Sequence, residues 1–236
     1  MSYVIIGVVI VVVLLLTQVA FVRTLILITK VTPPYQQKGD GSKSLLILGD
    51  STGYGTGASE AKYSISGLIG AEYPNLTITN KSVNNRTIGE LRRDIETLTG
   101  QYDIILLQIG ANDILQRRTL ETVLEDLQAV LDTLAPRTKK IVMISSSNVG
   151  GAVRFKNDEK AVRYQEQSIN FKEAFKGLQN DRPHFTYIDL YVPPEKDPFV
   201  LEPHIYTAND RLHPTNAGYA IWYNTLKPVL RTALEE

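Results

Sequence analysis

LLILGDSTG, residues 45–53, is the stretch whose reading decides the fold. Four large aliphatic residues in a row leave neither face of a strand for water. Such a run fits a strand buried on both sides, the habit of parallel sheets. Gly49 ends the run, and glycines at 53, 55 and 57 let the chain turn tightly. A parallel strand must be followed by a crossover, usually a helix. Ligands of such sheets bind outside the carboxyl ends of the strands, where Asp50 and Ser51 fall.

Reading outward from this stretch, strand and helix patterns alternate. Residues 60–73 carry Ile65, Leu68 and Ile69 at helical spacing, and 76–79 form a weaker strand. Ile88, Leu91, Ile95 and Leu98 mark one face of a second helix, and 104–109 is the next buried strand. Leu120, Val123, Leu124, Leu127, Val130, Leu131 and Leu134 form the clearest amphipathic helix. Residues 141–144 and 185–190 are further strands, separated by a charged helix at about 159–178. A long loop, 191–212, precedes a last helix expected from near Pro214, a residue suited to a first helical position, to about Leu234. Five strands alternating with helices imply an α/β fold with a parallel sheet covered on both faces.

Composition narrows the chemistry. The chain has 236 residues, 43% hydrophobic and 21% charged, an ordinary globular balance. It has no cysteine, so thiol catalysis and thiolate metal sites are excluded. Lys plus Arg and Asp plus Glu both number 25, but residues 1–43 carry an excess of basic charge and the remainder an excess of acidic charge. A mildly acidic domain argues against a nucleic-acid partner.

No charge interrupts residues 4–22, VIIGVVIVVVLLLTQVAFV. As a helix this run would span about 28 Å, close to the ~30 Å hydrocarbon core of a bilayer. The expectation is a single-pass transmembrane anchor within 1–30, a Pro- and Gly-bearing linker over 31–43 and one folded domain over 44–236. A buried core helix and a cleaved signal peptide are the alternatives. Arg23, Lys30 and Lys38 follow the run and lean toward a cytoplasmic domain.

Three polar clusters fall at predicted strand or helix ends. Gly49-Asp50-Ser51 places a hydroxyl at the mouth of the sheet, though a plain glycine-rich loop has the same composition. Gly110-Ala111-Asn112-Asp113 offers a carboxamide that can donate to an oxyanion, or an Asx turn. Asp210-Arg211-Leu212-His213-Pro214 spaces a carboxylate and an imidazole so that Asp210 can accept from one ring nitrogen. A helix start with a surface histidine is the competing reading. Together they supply nucleophile, oxyanion donor, orienter and base.

These three clusters, GDS at 49–51, GAND at 110–113 and DRLHP at 210–214, resemble conserved blocks of the SGNH/GDSL hydrolases over about residues 44–234. The resemblance implies a flavodoxin-like three-layer α/β/α sandwich with a five-stranded parallel sheet of order 2-1-3-4-5. It implies Ser51 as nucleophile, His213 as base and Asp210 as its orienter. The oxyanion would be held by the Ser51 backbone N–H, the Asn112 side chain and a backbone N–H at Asn85. Gly49, Asp50, Gly110 and Asp113 would shape and brace the motifs. No metal or cofactor is implied, and the substrate would be a small acyl ester, a lipid or an acylated glycan. Asn85 stands where the family usually has glycine, and asparagine tolerates left-handed geometry better than most residues. An acyltransferase on the same site and an idle binding domain are the alternatives. Specificity is expected in loops 145–158 and 191–209, with Val192, Pro193, Pro194, Phe199, Val200 and Leu201 as a possible apolar wall. Arg86 is a weak candidate for an anionic group, His204 a possible pocket residue and His184 a structural one. Asn75, Asn80 and Asn85 each open a glycosylation sequon, as chance allows in a polar stretch.

Overall fold

The computed structural model describes residues 7–19, 33–145, 147–156 and 158–235. Five strands, β1 (Ser44–Gly49), β2 (Thr77–Asn80), β3 (Tyr102–Gln108), β4 (Thr138–Ile144) and β5 (Phe185–Ile188), form one sheet. All neighbours are parallel and the order is β2-β1-β3-β4-β5. After β1 the α-helices are α1 (Ser51–Tyr54), α2 (Ile65–Glu72), α3 (Ile88–Asp94), α4 (Ala111–Leu115), α5 (Leu120–Leu134), α6 (Lys160–Gly177), α7 (Pro198–Leu201), α8 (Pro203–Tyr206) and α9 (Asn216–Glu235).

The period of two along each strand divides the core into two layers. Leu46, Leu48, Ile105, Leu107 and Met143 face α3, α5 and α6, meeting Leu91, Leu127, Leu131, Phe171 and Phe175. Leu45, Ile47, Ile104, Leu106 and Val142 face α2 and α9, meeting Ile69, Tyr219, Trp222 and Leu226. The apolar runs are therefore buried on both sides, as a parallel sheet between helical layers requires. Thr119 opens α5, its side chain accepting from the Thr122 N–H, and the buried positions 123, 127, 130, 131 and 134 follow one helical stripe.

Two expectations are corrected. Among the described residues no helix is long and apolar enough to cross a membrane, which overturns the transmembrane anchor and the single-pass membrane localisation. The described helix here covers residues 7–19. The remainder of the 4–22 run, and Arg23 and Lys30, lie outside the described residues. The last helix begins at Asn216 rather than near Pro214. Pro214 instead pairs with Thr207 in an isolated antiparallel bridge, and Thr215 accepts the Gly218 N–H at 3.3 Å.

The stretch preceding β1 has a docking role. Gln37 pairs antiparallel with Ile78 through N–H···O bonds of 3.0 and 2.9 Å, and the Gln36 side chain bonds both backbone groups of Asn80. This segment covers the free side of β2, an edge that would otherwise expose unpaired backbone groups.

Candidate active site

β1 and β3 end side by side, with Gly49 opposite Gln108. The Asp50 N–H donates to the Gln108 carbonyl at 3.0 Å, which carries the pairing one residue past the sheet. Asp50 then caps α1, accepting from the N–H and hydroxyl of Thr52, both at 2.8 Å. Ser51 thus becomes the first residue of a helix, where a backbone N–H has no intrahelical acceptor. Gly57, at φ +96, lets the Ser51 loop press against the last block. A Cβ there would strike the Pro214 carbonyl and the His213 side chain.

On the opposite wall, Asp210 accepts from the N–H groups of Leu212 and His213, both at 3.0 Å. Its Oδ2 lies 2.5 Å from His213 Nδ1, and His213 Nε2 lies 2.8 Å from Ser51 Oγ. Hydroxyl, imidazole and carboxylate therefore stand in line, with serine and histidine separated by 162 positions in the chain. Burial pushes the Asp210 carboxyl upward, but the hydrogen bond and charge of His213 and the two backbone donors outweigh it and hold it at about 2. An ionised carboxylate can only accept, so Nδ1 carries the proton and Nε2 is left as the acceptor for the serine hydroxyl.

The middle blocks complete the rim. Gly110, at φ +127, precedes α4, and Asn112 Nδ2 donates to the Arg86 carbonyl at 3.1 Å. Asn85 adopts φ +65, the left-handed geometry its residue type tolerates. Buried Asp113 braces the two loops, accepting from the Ile88 N–H at 3.0 Å and from Arg118 at 2.8 Å. Burial nonetheless raises its pKa. Arg118 continues to Asp126, which also receives Arg92. Arg86 is a structural residue: its guanidinium pairs with Asp94 at 2.9 Å and donates to the Lys81 carbonyl.

Ser51, Asn85, Asn112, Asp210 and His213 share a cavity of about 630 Å³. Its apolar lining comes from Leu115, Val149, Phe155, Phe199, Leu212 and Trp222, and Thr56, Asn84, Ser147, Asn148 and Arg154 add polar groups. Loop 145–158 reaches the cavity as expected. Of the six residues proposed as an apolar wall, Phe199 alone lines it. His204 is exposed and outside the cavity, and the His184 carbonyl accepts from the Ile141 N–H of β4. Thr56, Leu115 and Trp222 were missed by sequence reasoning. Trp222 sits on the buried stripe of α9, where periodicity signals core alone. Among the described residues no cluster suited to a metal ion is found.

A parallel sheet of this order, with serine, histidine and aspartate in line at its carboxyl rim, has the build of the serine acyl hydrolases. Residues 47–221 match the model of the GDSL-like lipase/acylhydrolase family. The chain belongs to that family and, with it, to the serine ester hydrolases. A comparison with curated proteins returned no match. Among solved structures, a lipolytic G-D-S-L family protein from Veillonella parvula is 18% identical, with TM-score 0.63, covering 79% of this chain and 97% of its own. A putative platelet activating factor from Streptococcus pneumonia is 25% identical, with TM-score 0.62 and coverage of 82% and 84%. An acetyl-xylooligosaccharide esterase from Geobacillus is 20% identical, with TM-score 0.61 and coverage of 80% and 94%. The first and third likenesses are of fold.

Proposed function

We propose that the protein hydrolyses carboxylic esters through an acyl-enzyme on Ser51. The observation that carries this reading is the continuous line from Asp210 through His213 to Ser51, with gaps of 2.5 and 2.8 Å. Ser51 Oγ attacks the ester carbonyl carbon while its proton passes to His213 Nε2. Asp210 keeps the ring oriented and balances the imidazolium charge. The tetrahedral oxyanion is received by the Ser51 N–H, the Asn112 Nδ2 and the Asn85 N–H. Collapse breaks the ester C–O bond, and Nε2 returns the proton to the departing alkoxide. Water then attacks the acyl carbonyl as Nε2 takes its proton. The acid leaves, and Nε2 returns that proton to Ser51 Oγ.

The left-handed backbone at Asn85 supports its place in the oxyanion site, because that is the conformation glycine would bring at the same position. The anchoring of Asn112 Nδ2 to the Arg86 carbonyl supports the second donor, since one amide hydrogen fixes the group and the other remains for the substrate. The mixed lining suits a short acyl group or a polar acceptor. The fold neighbour from Geobacillus that acts on acetylated xylooligosaccharides makes acetylated glycans a first panel. A fluorophosphonate probe is expected to label Ser51 stoichiometrically and to leave Ser51→Ala unlabelled. Equal labelling of both proteins removes the assignment. Adding an alcohol acceptor and finding transfer products in place of free acid would make the protein an acyltransferase.

A further inference from the structure

The helix that carries Asn112 has little of its own to hold it. α4 is 5 residues long, and its N-cap, Gly110, supplies no side-chain acceptor. A single turn fixes several dihedral angles for few hydrogen bonds and does not persist alone. Its place is set from outside. Arg117 is held at φ +58, a left-handed backbone that glycine or asparagine adopts at lower cost, and the chain reverses there. The reversal lets the Arg118 N–H donate to the Asp113 carbonyl at 2.9 Å. The Arg118 guanidinium then forks, donating to Asp113 Oδ1 at 2.8 Å and to Asp126 Oδ2 at 2.5 Å. Asp126 is a buried residue of α5, a helix of 15 residues packed in the core. α3 makes room for the fork at Gly89, where a Cβ would meet Asp126 Oδ2 at 2.6 Å and Arg118 at 2.9 Å. Asp113 also accepts the Ile88 N–H that opens α3. One guanidinium therefore ties the short helix to both long-range supports, and these segments carry the oxyanion donors. Asn112 adjoins Asp113, and the Arg86 carbonyl that receives Asn112 Nδ2 lies between Asn85 and Ile88.

We propose that Arg118 is a positioning residue for ester hydrolysis: its fork between Asp113 and Asp126 holds the Asn112 carboxamide where the oxyanion forms. The inference rests on Ser51 hydrolysis and deepens that reading. Arg118 does not line the catalytic cavity, so it acts through Asp113 and the neighbouring Asn112. Asp113 and Asp126 are both buried and share this one cation. Without it the two carboxylates repel and one buried charge is left uncompensated. Asp113 cannot yield without moving Asn112 and releasing the Ile88 N–H. Lysine would keep the charge but not the planar fork that spans both acceptors. Contact with the oxyanion is made in the transition state, so its misplacement lowers kcat and spares KM.

The test measures p-nitrophenyl acetate hydrolysis by the full chain, with rates counted per site titrated by a fluorophosphonate. Arg118→Gln is expected to lower kcat by about 10–10²-fold, with KM held within about twofold. Arg118→Lys should fall between that variant and wild type. An alkyl trifluoromethyl ketone provides the second readout. Ser51 Oγ adds to its carbonyl carbon, the proton passes to His213 Nε2, and the carbonyl oxygen becomes a standing oxyanion. Its affinity should fall by the same factor as kcat. Arg182→Gln is the control, because that side chain is 20% exposed against 22% for Arg118 and pairs with Asp132 away from the cavity. It should keep the wild-type kcat. A wild-type kcat in Arg118→Gln, a fall in kcat without loss of ketone affinity, or an equal fall in Arg182→Gln would overturn the proposal. If the glutamine variant does not fold, the lysine variant decides: a joint fall in kcat and affinity supports the proposal, and wild-type values overturn it. If wild type turns over no ester, the Ser51 reading fails separately. The positioning role is then read from the Asn112 side-chain amide by NMR, assigned through its loss in Asn112→Ala. Faster exchange of that amide with water in Arg118→Lys supports the role, and unchanged exchange overturns it.

Discussion

Asp50 and Asp210 both lie close to Ser51 and His213, in two turns built alike, yet their carboxyls are shifted in opposite directions. Each accepts the backbone N–H two residues ahead, Thr52 at 2.8 Å and Leu212 at 3.0 Å. Burial raises both carboxyls. At Asp50 burial prevails over the Thr52 bonds and the charge of His213, and the group is pushed up to about 6, with Oδ2 lacking a partner among the described residues. At Asp210 the direct bond to His213 and the backbone donors reverse the sign and hold it at about 2. Local turn chemistry is thus the same in both regions. A direct hydrogen bond to His213, present at Asp210 and absent at Asp50, reverses the direction in which the carboxyl is shifted.

Removing the aspartate that stays charged has the largest expected effect. Asp210→Asn should lower kcat by about 10²–10⁴ with little change in KM, because His213 loses the acceptor that sets its tautomer. Steady-state kinetics on a p-nitrophenyl ester checks this, and an unchanged kcat would dissolve the contrast between the two aspartates. Asn112→Ala, on the rim between them, should lower kcat by about 10²–10³ if the carboxamide meets the oxyanion.

The stability of the fold distinguishes the pair in a second way. The Asp210 carboxyl is depressed, so it stabilises the fold above the ordinary value near 3.8, and this is lost as pH falls toward about 2. The Asp50 carboxyl is raised, so the folded state holds its proton more tightly than the unfolded chain. Its contribution to stability is present below 3.8 and is lost as pH rises through about 6. Asp50→Asn should therefore flatten the fall in stability between these values and stabilise the protein at pH 7 by on the order of 2 kcal/mol. Urea unfolding across that pH range reads it, and an unchanged slope would show that Asp50 does not titrate there. The smallest expected effect lies outside the pair. Arg117→Asn should raise stability by about 0.5 kcal/mol, since asparagine sits more easily at positive φ. A lower melting temperature would contradict the strain assigned to Arg117.

Much of the architecture was legible in the residues. The runs at 45–48, 104–109 and 141–144 read as buried strands because they are short, almost wholly apolar and lack alternating polarity. The stripe of α5 was read to its ends because its apolar spacing keeps one helical period and Thr119 supplies a cap. The start of α9 was misplaced because proline suits both a first helical turn and the β-bridge it forms with Thr207. The apolar run at 4–22 suggested an anchor because hydropathy measures composition, whereas among the described residues no helix is long and apolar enough to cross a membrane. The site motifs announced Ser51, Asn112, Asp210 and His213. Nothing in their spacing announced Leu115 or Trp222, whose apolar character is equally that of core.

The sequence by itself determined what is local: which segments are strands, which turn presents the serine and which carboxylate lies three residues from the histidine. Period, turn chemistry and capping act over a few residues, so they can be read along the chain. Only the tertiary structure decided the approach of His213 to Ser51 and the opposite shifts of the Asp50 and Asp210 carboxyls. Those depend on distances through space and on exclusion of water, which arise once the sheet has brought remote turns to a common rim.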